Sequence, residues 1–456
     1  MTIINNALSG AVAAQAALNA TSQNVANLQT KGYTRQGVLL AAVAPGFGTR
    51  QAGNGVEVSA LLRISDAYKT QQLWRANADL GRYSAQQPYL TQLEQVMGDD
   101  KSSLSYSVDN FFKALNAVGE EPTSAPLRGQ VVAQAGALAE SFNSIYQVTR
   151  NQQLSVQQQR DAILPKFNTL TQNIAALNTR IVAAGATGTN VSALIDERDM
   201  AIDSLSQLAA VEVLEQPDGS RSVSLRSGQP LVVGNQSATL GIDTTGGTPQ
   251  MQVTFARSVY AVDDAAVGGQ LGGLGTFEKN VLAPLQESIM SMATQLAGKI
   301  NDQLAQGNDS DGNPGKPMFE VSGGGAVGIL SVTPGYSASD LALSSDGTPG
   351  DSGNLQLLVD IKNQSIALPS VGNVIVGDAD TQLVGKLAID SQQTKSLLNT
   401  ATTIRQQAED DWASTSGVNR DEEAMNLVEF QNMYQANMKV IAVANSLFDA
   451  TLSMFG

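Results

Sequence analysis

The first thirty residues of this 456-residue chain contain no charged side chain; the first charge is Lys31. Within that stretch Ala7, Ala11, Ala14, Leu18, Thr21, Val25 and Leu28 recur at alternating spacings of four and three, the period of one helix wound against another. The stripe is made mostly of small residues, so a partner helix can approach closely. Its remaining faces are Asn, Gln, Ser, Thr and Ala, and a helix without charge on any face is not built for solvent. The far end mirrors the pattern. Ala424, Leu427, Gln431, Tyr434, Met438, Ile441, Asn445, Phe448, Leu452 and Phe455 keep a 3-4 spacing, behind Asp421, Glu422 and Glu423, acids that the helix dipole favours at a helix start. Both ends predict long helices that pair lengthwise with each other or with copies of the chain. The plainer alternative is two ordinary core helices of one domain. Helices of this kind are marginal alone, so both are expected to gain order on assembly.

Composition removes whole classes of function. The chain has neither cysteine nor histidine, which excludes disulfides, thiol nucleophiles, zinc–thiolate sites and serine–histidine or cysteine–histidine catalysis. The net charge of −15 argues against nucleic acid and against an anionic membrane surface. No apolar run is long enough to span a bilayer. Polar Asn5, Asn6, Gln15 and Asn19 interrupt the N-terminal apolar stretch, and no basic residue precedes it, so a cleaved signal is not expected.

Between the ends the pattern is helical to about residue 208. Gly46, Gly48, Gly53 and Gly55 mark a hairpin or extended stretch, and a helix is expected from about Ala60, with Ile64, Tyr68, Trp74, Leu90, Leu93 and Val96 inward. Ile163, Phe167, Leu170, Ile174, Leu177 and Ile181 form another stripe, which Pro165 should kink or split. From Val211 the period becomes two. Val211, Val213 and the alternation Val223, Leu225 bracket the turn signal Pro217-Asp218-Gly219, and Leu231–Val233 and Met251–Phe255 read as further strands. Helix resumes near Thr276–Leu304, residues 308–380 read as loops with short strands, and helix returns near Gly385. The fold class is therefore mainly α with a β-rich insertion: paired, coiled-coil-like terminal helices, a helical-bundle middle domain and an outer β domain.

Chemistry-bearing motifs are weak. Asp309, Asp311, Asn313 and Glu320 have the spacing of a calcium loop, but Pro314 stands where that loop needs glycine; a polar turn is the better reading. The pairs Asp99/Asp100, Asp263/Asp264 and Asp410/Asp411 are adjacent acids with no mark of an acid–base pair. No catalytic residue, metal site or cofactor is expected.

Longer motifs carry a resemblance. Ile3-Ile4-Asn5-Asn6-Ala7-Leu8-Ser9-Gly10, Ala16-Ala17-Leu18, Asn24-Val25-Ala26-Asn27 and Gly32-Tyr33-Thr34-Arg35-Gln36 resemble the flagellar axial proteins, the family of rod, hook and hook-associated subunits. Ser416-Gly417-Val418-Asn419, Asp421 to Leu427, Phe430-Gln431, Tyr434 to Asn437 and Ala444 to Phe448 resemble its hook-associated, junction-forming branch. Leu194 to Asp199, Gly272-Gly273-Leu274, and Asn301 with Gly307, Asp309, Asp311-Gly312 and Gly315 agree with that branch, while Leu304 stands where it usually has histidine. The chain is short for the branch, and residues 209–269 resemble nothing known to it.

The resemblance implies a non-enzymatic, secreted subunit of the bacterial flagellum, exported by the flagellar type III apparatus, that joins hook to filament. Its partners would be copies of itself, the hook protein, the next junction protein and a cytoplasmic export chaperone. Residues 1–59 and 400–456 would line the inner tube, 60–208 and 270–399 would form the middle domain, and 209–269 would project outward. The implied assembly seams are Ala7, Ala11, Ala14, Leu18, Val25 and Leu28 at the N-terminus, and Leu427, Tyr434, Met438, Ile441, Phe448, Leu452 and Phe455 at the C-terminus, the latter shared with the chaperone. Asn24, Asn27, Gly32, Tyr33 and Arg35 carry the family motif. Another axial protein, hook or distal rod, is the nearest alternative; a secreted adhesin or hydrolase is a remoter one.

Overall fold

In a computed structural model, which describes residues 2–44, 53–99, 103–243, 250–324 and 328–455, the chain is mainly helical with small β-sheets. Helix α1 (Thr2–Ala26) leads into a hairpin, β1 (Gln36–Ala42) and β2 (Val56–Arg63), then α2 (Ala67–Met97), α3 (Leu104–Val118), α4 (Ala125–Ala186) and α5 (Ser192–Leu208). Seven strands follow: β3 (Val211–Glu215), β4 (Arg221–Leu225), β5 (Pro230–Val233), β6 (Gln236–Ser237), β7 (Thr239–Asp243), β8 (Gln250–Phe255) and β9 (Ser258–Val262). Then come α6 (Asp264–Val267), α7 (Gly269–Phe277), α8 (Ala283–Leu304), β10 (Phe319–Val321), β11 (Leu330–Val332), α9 (Gly353–Asp360), β12 (Ser365–Leu368), β13 (Gly372–Ile375), α10 (Ala379–Ser416) and α11 (Arg420–Phe455). The chain divides into two compact units: Met1–Leu80, Pro165–Gly269 and Ala401–Gly456 in the first, Gly81–Leu164 and Gln270–Thr400 in the second.

In the first unit α1 packs along α11. Gly10 faces Asn437, where an added Cβ would come within 2.7 Å of Oδ1, and Asn24 bonds Glu423. The helices are therefore antiparallel, and this register sets Thr2 opposite Asn445. The β1–β2 hairpin lies against α1. Gly55 has φ +95°, and a Cβ there would sit 2.1 Å from Ser9 Oγ; the same hydroxyl accepts from the Val56 amide at 3.2 Å. Expected turn glycines Gly46 and Gly48 lie outside the described residues. Residues from Ala60 are strand, not helix, because Val56-Glu57-Val58-Ser59-Ala60 alternates with period two and pairs with β1. Tyr68 accordingly falls in the first turn of α2 and is exposed, and Ile64 and Val96 are only half-buried, whereas Trp74, Leu90 and Leu93 are buried.

The expected period-two region forms a sheet of order β3-β4-β5-β6 and a second of order β7-β8-β9. Val211 pairs with Leu225 and Val213 with Val223, and Gly219 closes the intervening turn at φ +82°. The stripe on α4 is buried at Phe167, Ile174, Leu177 and Ile181 and half-buried at Leu170. Pro165 does not split α4, which runs unbroken for 62 residues.

The second unit has an aromatic core in which Phe111 meets Phe112 and Phe319 edge-on, and Tyr89 stacks on Phe277 at 5.5 Å. A wide π-turn, Glu278–Leu282, joins α7 to α8. Pro284 explains it: proline lacks an amide and its ring clashes with the carbonyl four residues back, so the turn expands. The would-be calcium loop is a polar turn. Asp309 Oδ1 accepts from the amides of Asp311 and Asn313 at 2.9 and 2.8 Å, and Glu320 lies exposed in β10. Asp100 lies outside the described residues.

Candidate assembly interface

The N-terminal motif, an internal acidic–basic run and the start of α11 converge at one end of the α1–α11 pair. Asn24, 2% exposed, organises them. Its Nδ2 donates to the Gln36 carbonyl and to Glu423 Oε1, and its Oδ1 accepts from the Gln36 amide and the Tyr33 hydroxyl, all at 2.9 Å. The one side chain thus ties α1, the strand that leaves it and α11. Glu423 is itself 3% exposed. Burial raises its carboxyl above the usual range, against the pull of the Asn24 bond. Burial, then the Asp196 and Glu423 carboxylates, push the Tyr33 phenol to about 12. Arg35 pairs with Glu422 at 2.8 Å, and its amide donates to the Ser416 carbonyl at 2.8 Å.

A buried ionic cluster lies beside this junction. The Thr34 amide donates to Asp196 Oδ2 at 3.1 Å, and Arg63 clasps both Asp196 (2.7 Å) and Asp199 (2.8 Å). Asp199 also pairs with Arg221, whose guanidinium lies 5.7 Å over the Trp74 ring. Arg198, fully buried, donates to Asn178 Oδ1 at 3.1 Å and to the Gly219 carbonyl at 2.8 Å. Burial lowers its pKa to about 10, helped by nearby Arg221. Burial likewise raises the Asp199 carboxyl, opposed by Arg221, Arg63 and Arg198. Charges at this depth persist only in tight pairs. Their effect is to fix the end of the hairpin, at Arg63, and β4, at Arg221, against α5.

At the other end of the pair the contacts are apolar or absent. The covered face of α11 runs Glu423, Asn426, Phe430, Tyr434, Asn437, Ile441 and Ala444, and then stops where α1 runs out. Beyond it Leu447, Phe448, Leu452 and Met454 are exposed by 61, 62, 57 and 84%.

The sequence-derived seams fall on both sides of this division. Ala7, Ala11 and Ala14 are buried and Leu18 is half-buried, whereas Val25 is exposed and Leu28, also exposed, lies past the end of α1; Ala17, Thr21 and Asn24 complete the covered face. On α11, Tyr434 and Ile441 lie on the covered face, while Leu427, Met438, Phe448 and Leu452 are exposed. The Phe455 side chain lies outside the described residues. Of the motif residues, Asn27 closes the end of α1 by donating to the Gln23 carbonyl at 2.9 Å, and Gly32 turns at φ +76° against Met200. The ionic cluster of Arg63, Asp196, Asp199, Arg198 and Arg221 is the feature residue patterns did not reveal. The run Leu194 to Asp199 carries the resemblance to the branch, but the pairing of its acids with Arg63 and Arg221 is not visible in the run itself. Among the described residues no group of three or more acids is placed to hold a metal ion, and no helix is long and apolar enough to cross a membrane.

Comparison with known proteins gives the class first. A family model for the C-terminal region of the flagellar basal body rod protein FlgEFG matches residues 412–454, the end of α10 with nearly all of α11, as in flagellar axial proteins. The model for the helical domain of flagellar hook-associated protein FlgK matches residues 90–319, half of the chain. The chain is 27% identical to flagellar hook-associated protein 1 of Salmonella typhimurium over 559 residues, covering 99% of both. It is 25% identical to that of Bacillus subtilis, covering 97% of this chain and 96% of the relative. The solved structure of the flagellar hook junction protein FlgK from Burkholderia pseudomallei matches with a TM-score of 0.51 and 30% identity, across 55% of this chain and 47% of that one. The chain belongs to the family of flagellar hook-associated protein 1, FlgK, a structural component of the extracellular flagellum and not an enzyme. Because the Salmonella alignment is longer than this 456-residue chain, that relative carries segments this one lacks.

Proposed function

We propose that the chain polymerises on the end of the hook through α1 and α11 and presents the surface on which the next junction protein and then flagellin assemble. The observation that carries this reading is the register of the helix pair: α11 outruns α1, and its surplus leaves Leu447, Phe448 and Leu452 without cover. Neighbouring subunits of the hook and of this chain are the partners that would bury them. Residues 1–59 with 400–456 then act as the inner tube, 60–208 with 270–399 as the middle domain and 209–269 as the outer one. Before export, the same C-terminal seam is the segment a cytoplasmic chaperone would hold, helix in groove. The charge-free faces of α1, including exposed Gln15 and Gln23, suit a conduit through which unfolded polypeptide passes.

The test replaces Leu447, Phe448 and Leu452 with serine in the cell. Export with hooks that grow no filament is the expected outcome. Normal filaments would refute the assignment. Retained affinity for the chaperone in Ile441→Ala and Phe448→Ala would remove the chaperone part alone.

A further inference from the structure

The three-stranded sheet ends in a strand that lacks the usual guards of a free edge. Strand β9 is the outer member of the order β7-β8-β9, and Ser258, Val259, Tyr260 and Ala261 are all exposed. Native edge strands are normally blunted by lysine, proline, a bulge or a covering loop. This one reads Ser-Val-Tyr-Ala-Val, uncharged and of high strand propensity, and it pairs with β8 residue for residue from Phe255↔Ser258 to Met251↔Val262. The two-residue turn Ala256-Arg257 starts that ladder with a hydrogen-bonded pair, so by antiparallel alternation Ser258, Tyr260 and Val262 bond to β8. The amides and carbonyls of Val259 and Ala261 therefore point away from the sheet.

The charges lie only at the two ends of the strand, with opposite sign. Arg257, exposed, precedes it; Asp263, whose Oδ1 caps α6 by accepting from the Ala265 amide at 3.2 Å, and Asp264 follow it. We propose that β9 is a docking edge for a second copy of this chain, paired antiparallel with its own β9 about a two-fold axis at Tyr260. This register sets Val259 opposite Ala261 of the second copy, which uses the outward backbone groups of both. It also sets each Arg257 opposite the other copy's Asp263, so opposite charges meet at both ends. A parallel pairing would place like charges together. The contact is isologous, so it closes at two copies and does not propagate. It is therefore separate from the head-to-tail assembly through the terminal helices, and it holds or fails independently of that reading.

The test exploits the absence of cysteine in the chain. In the full-length protein, Tyr260→Cys is expected to give a disulfide-linked dimer under mild oxidation, because residues at the two-fold axis face each other directly. In sedimentation of the otherwise unchanged chain, Arg257→Asp is expected to weaken dimerisation about tenfold, cross-strand charge pairs being worth up to about 1 kcal/mol each. Asp263→Arg alone should do the same. Mixing these two variants restores both charge pairs and should recover the parent dimer, a result that misfolding cannot produce. No disulfide at Tyr260→Cys, a monomeric parent, or a mixture no tighter than its components would each overturn the proposal.

Discussion

The two ends of the α1–α11 pair are built on opposite rules. At the end marked by Asn24 and Glu423, polar side chains are buried and matched one to one, and the partners come from α1, the following strand and α11. At the end beyond Gly10 and Asn437 no such bond joins the helices among the described residues, and the apolar surface grows as α11 runs past its partner. A buried polar network tolerates only one arrangement, since any shift strands a donor or an acceptor. An apolar face tolerates many partners. The difference teaches that the pair is anchored to the rest of its unit at one end and left free for neighbours at the other.

The largest effect should come from breaking the anchored end. Asn24→Ala removes four hydrogen bonds and leaves the buried Glu423 carboxylate with Thr21 but without its Asn24 donor, a loss of about 3 kcal/mol. Chemical denaturation of the unassembled protein measures it. Phe448→Ala at the free end should leave that midpoint unchanged while abolishing growth on hooks. If both variants lose the same stability, the contrast between the ends is wrong.

A smaller effect should sharpen the register. Gly10→Val drives a branched side chain into Asn437, whose Oδ1 lies 2.7 Å from the position of an added Cβ. A destabilisation of about 1 kcal/mol is expected, the size of a modest overpacking penalty. Because the clash is with the tip of one side chain, Asn437→Ala in the same molecule should restore the parent stability. A double variant no better than Gly10→Val would mean that the helices meet elsewhere.

Much of this architecture is legible in the residues, and what is not has a physical cause. The period of the apolar residues marks both terminal helices; the absence of charge before Lys31 fits the face of α1 covered by α11 and the hairpin, while Ile3, Leu8 and Val12 on its other faces are exposed. The period also finds β3, β4, β5 and β8, because alternation is a local property, but it does not single out β6, β7 or β9. It misses β2, where the alternating run is short and passes directly into the loop before α2. It misplaces part of the seam as well. A heptad read from α1 alone selects Leu18, Thr21, Val25 and Leu28; Thr21 is buried as expected, but the close approach of α11 at Gly10 and the Asn24–Glu423 bond rotate the rest of the covered face toward Ala17 and Asn24. The ionic cluster was illegible for a different reason. Arg63, Asp196 and Arg221 are far apart in the chain, and nothing in one segment announces its partner in another. Charged residues read singly look like solvated surface.

The smallest effect is a pH dependence that belongs to the anchored end alone. Burial raises the Glu423 carboxyl in the folded protein. A group whose folded pKa exceeds its unfolded one favours folding most below the unfolded value, and that contribution fades as pH rises through the folded one. At neutral pH the ionised Glu423 is therefore a net cost that the Asn24 and Thr21 bonds and nearby Arg35 only partly offset. Glu423→Gln keeps an acceptor for Asn24 Nδ2 and removes the charge. It should be at least as stable as the parent at neutral pH, and the parent should gain on it as pH falls into the ordinary glutamate range. Denaturation curves of the two proteins taken in parallel cancel the other titrating acids. A difference that stays flat with pH would show that folding leaves the Glu423 carboxyl unshifted, and one that grows with the opposite sign would show that Glu423 is held as a stabilising charge under the pull of Arg35, which pairs with the neighbouring Glu422.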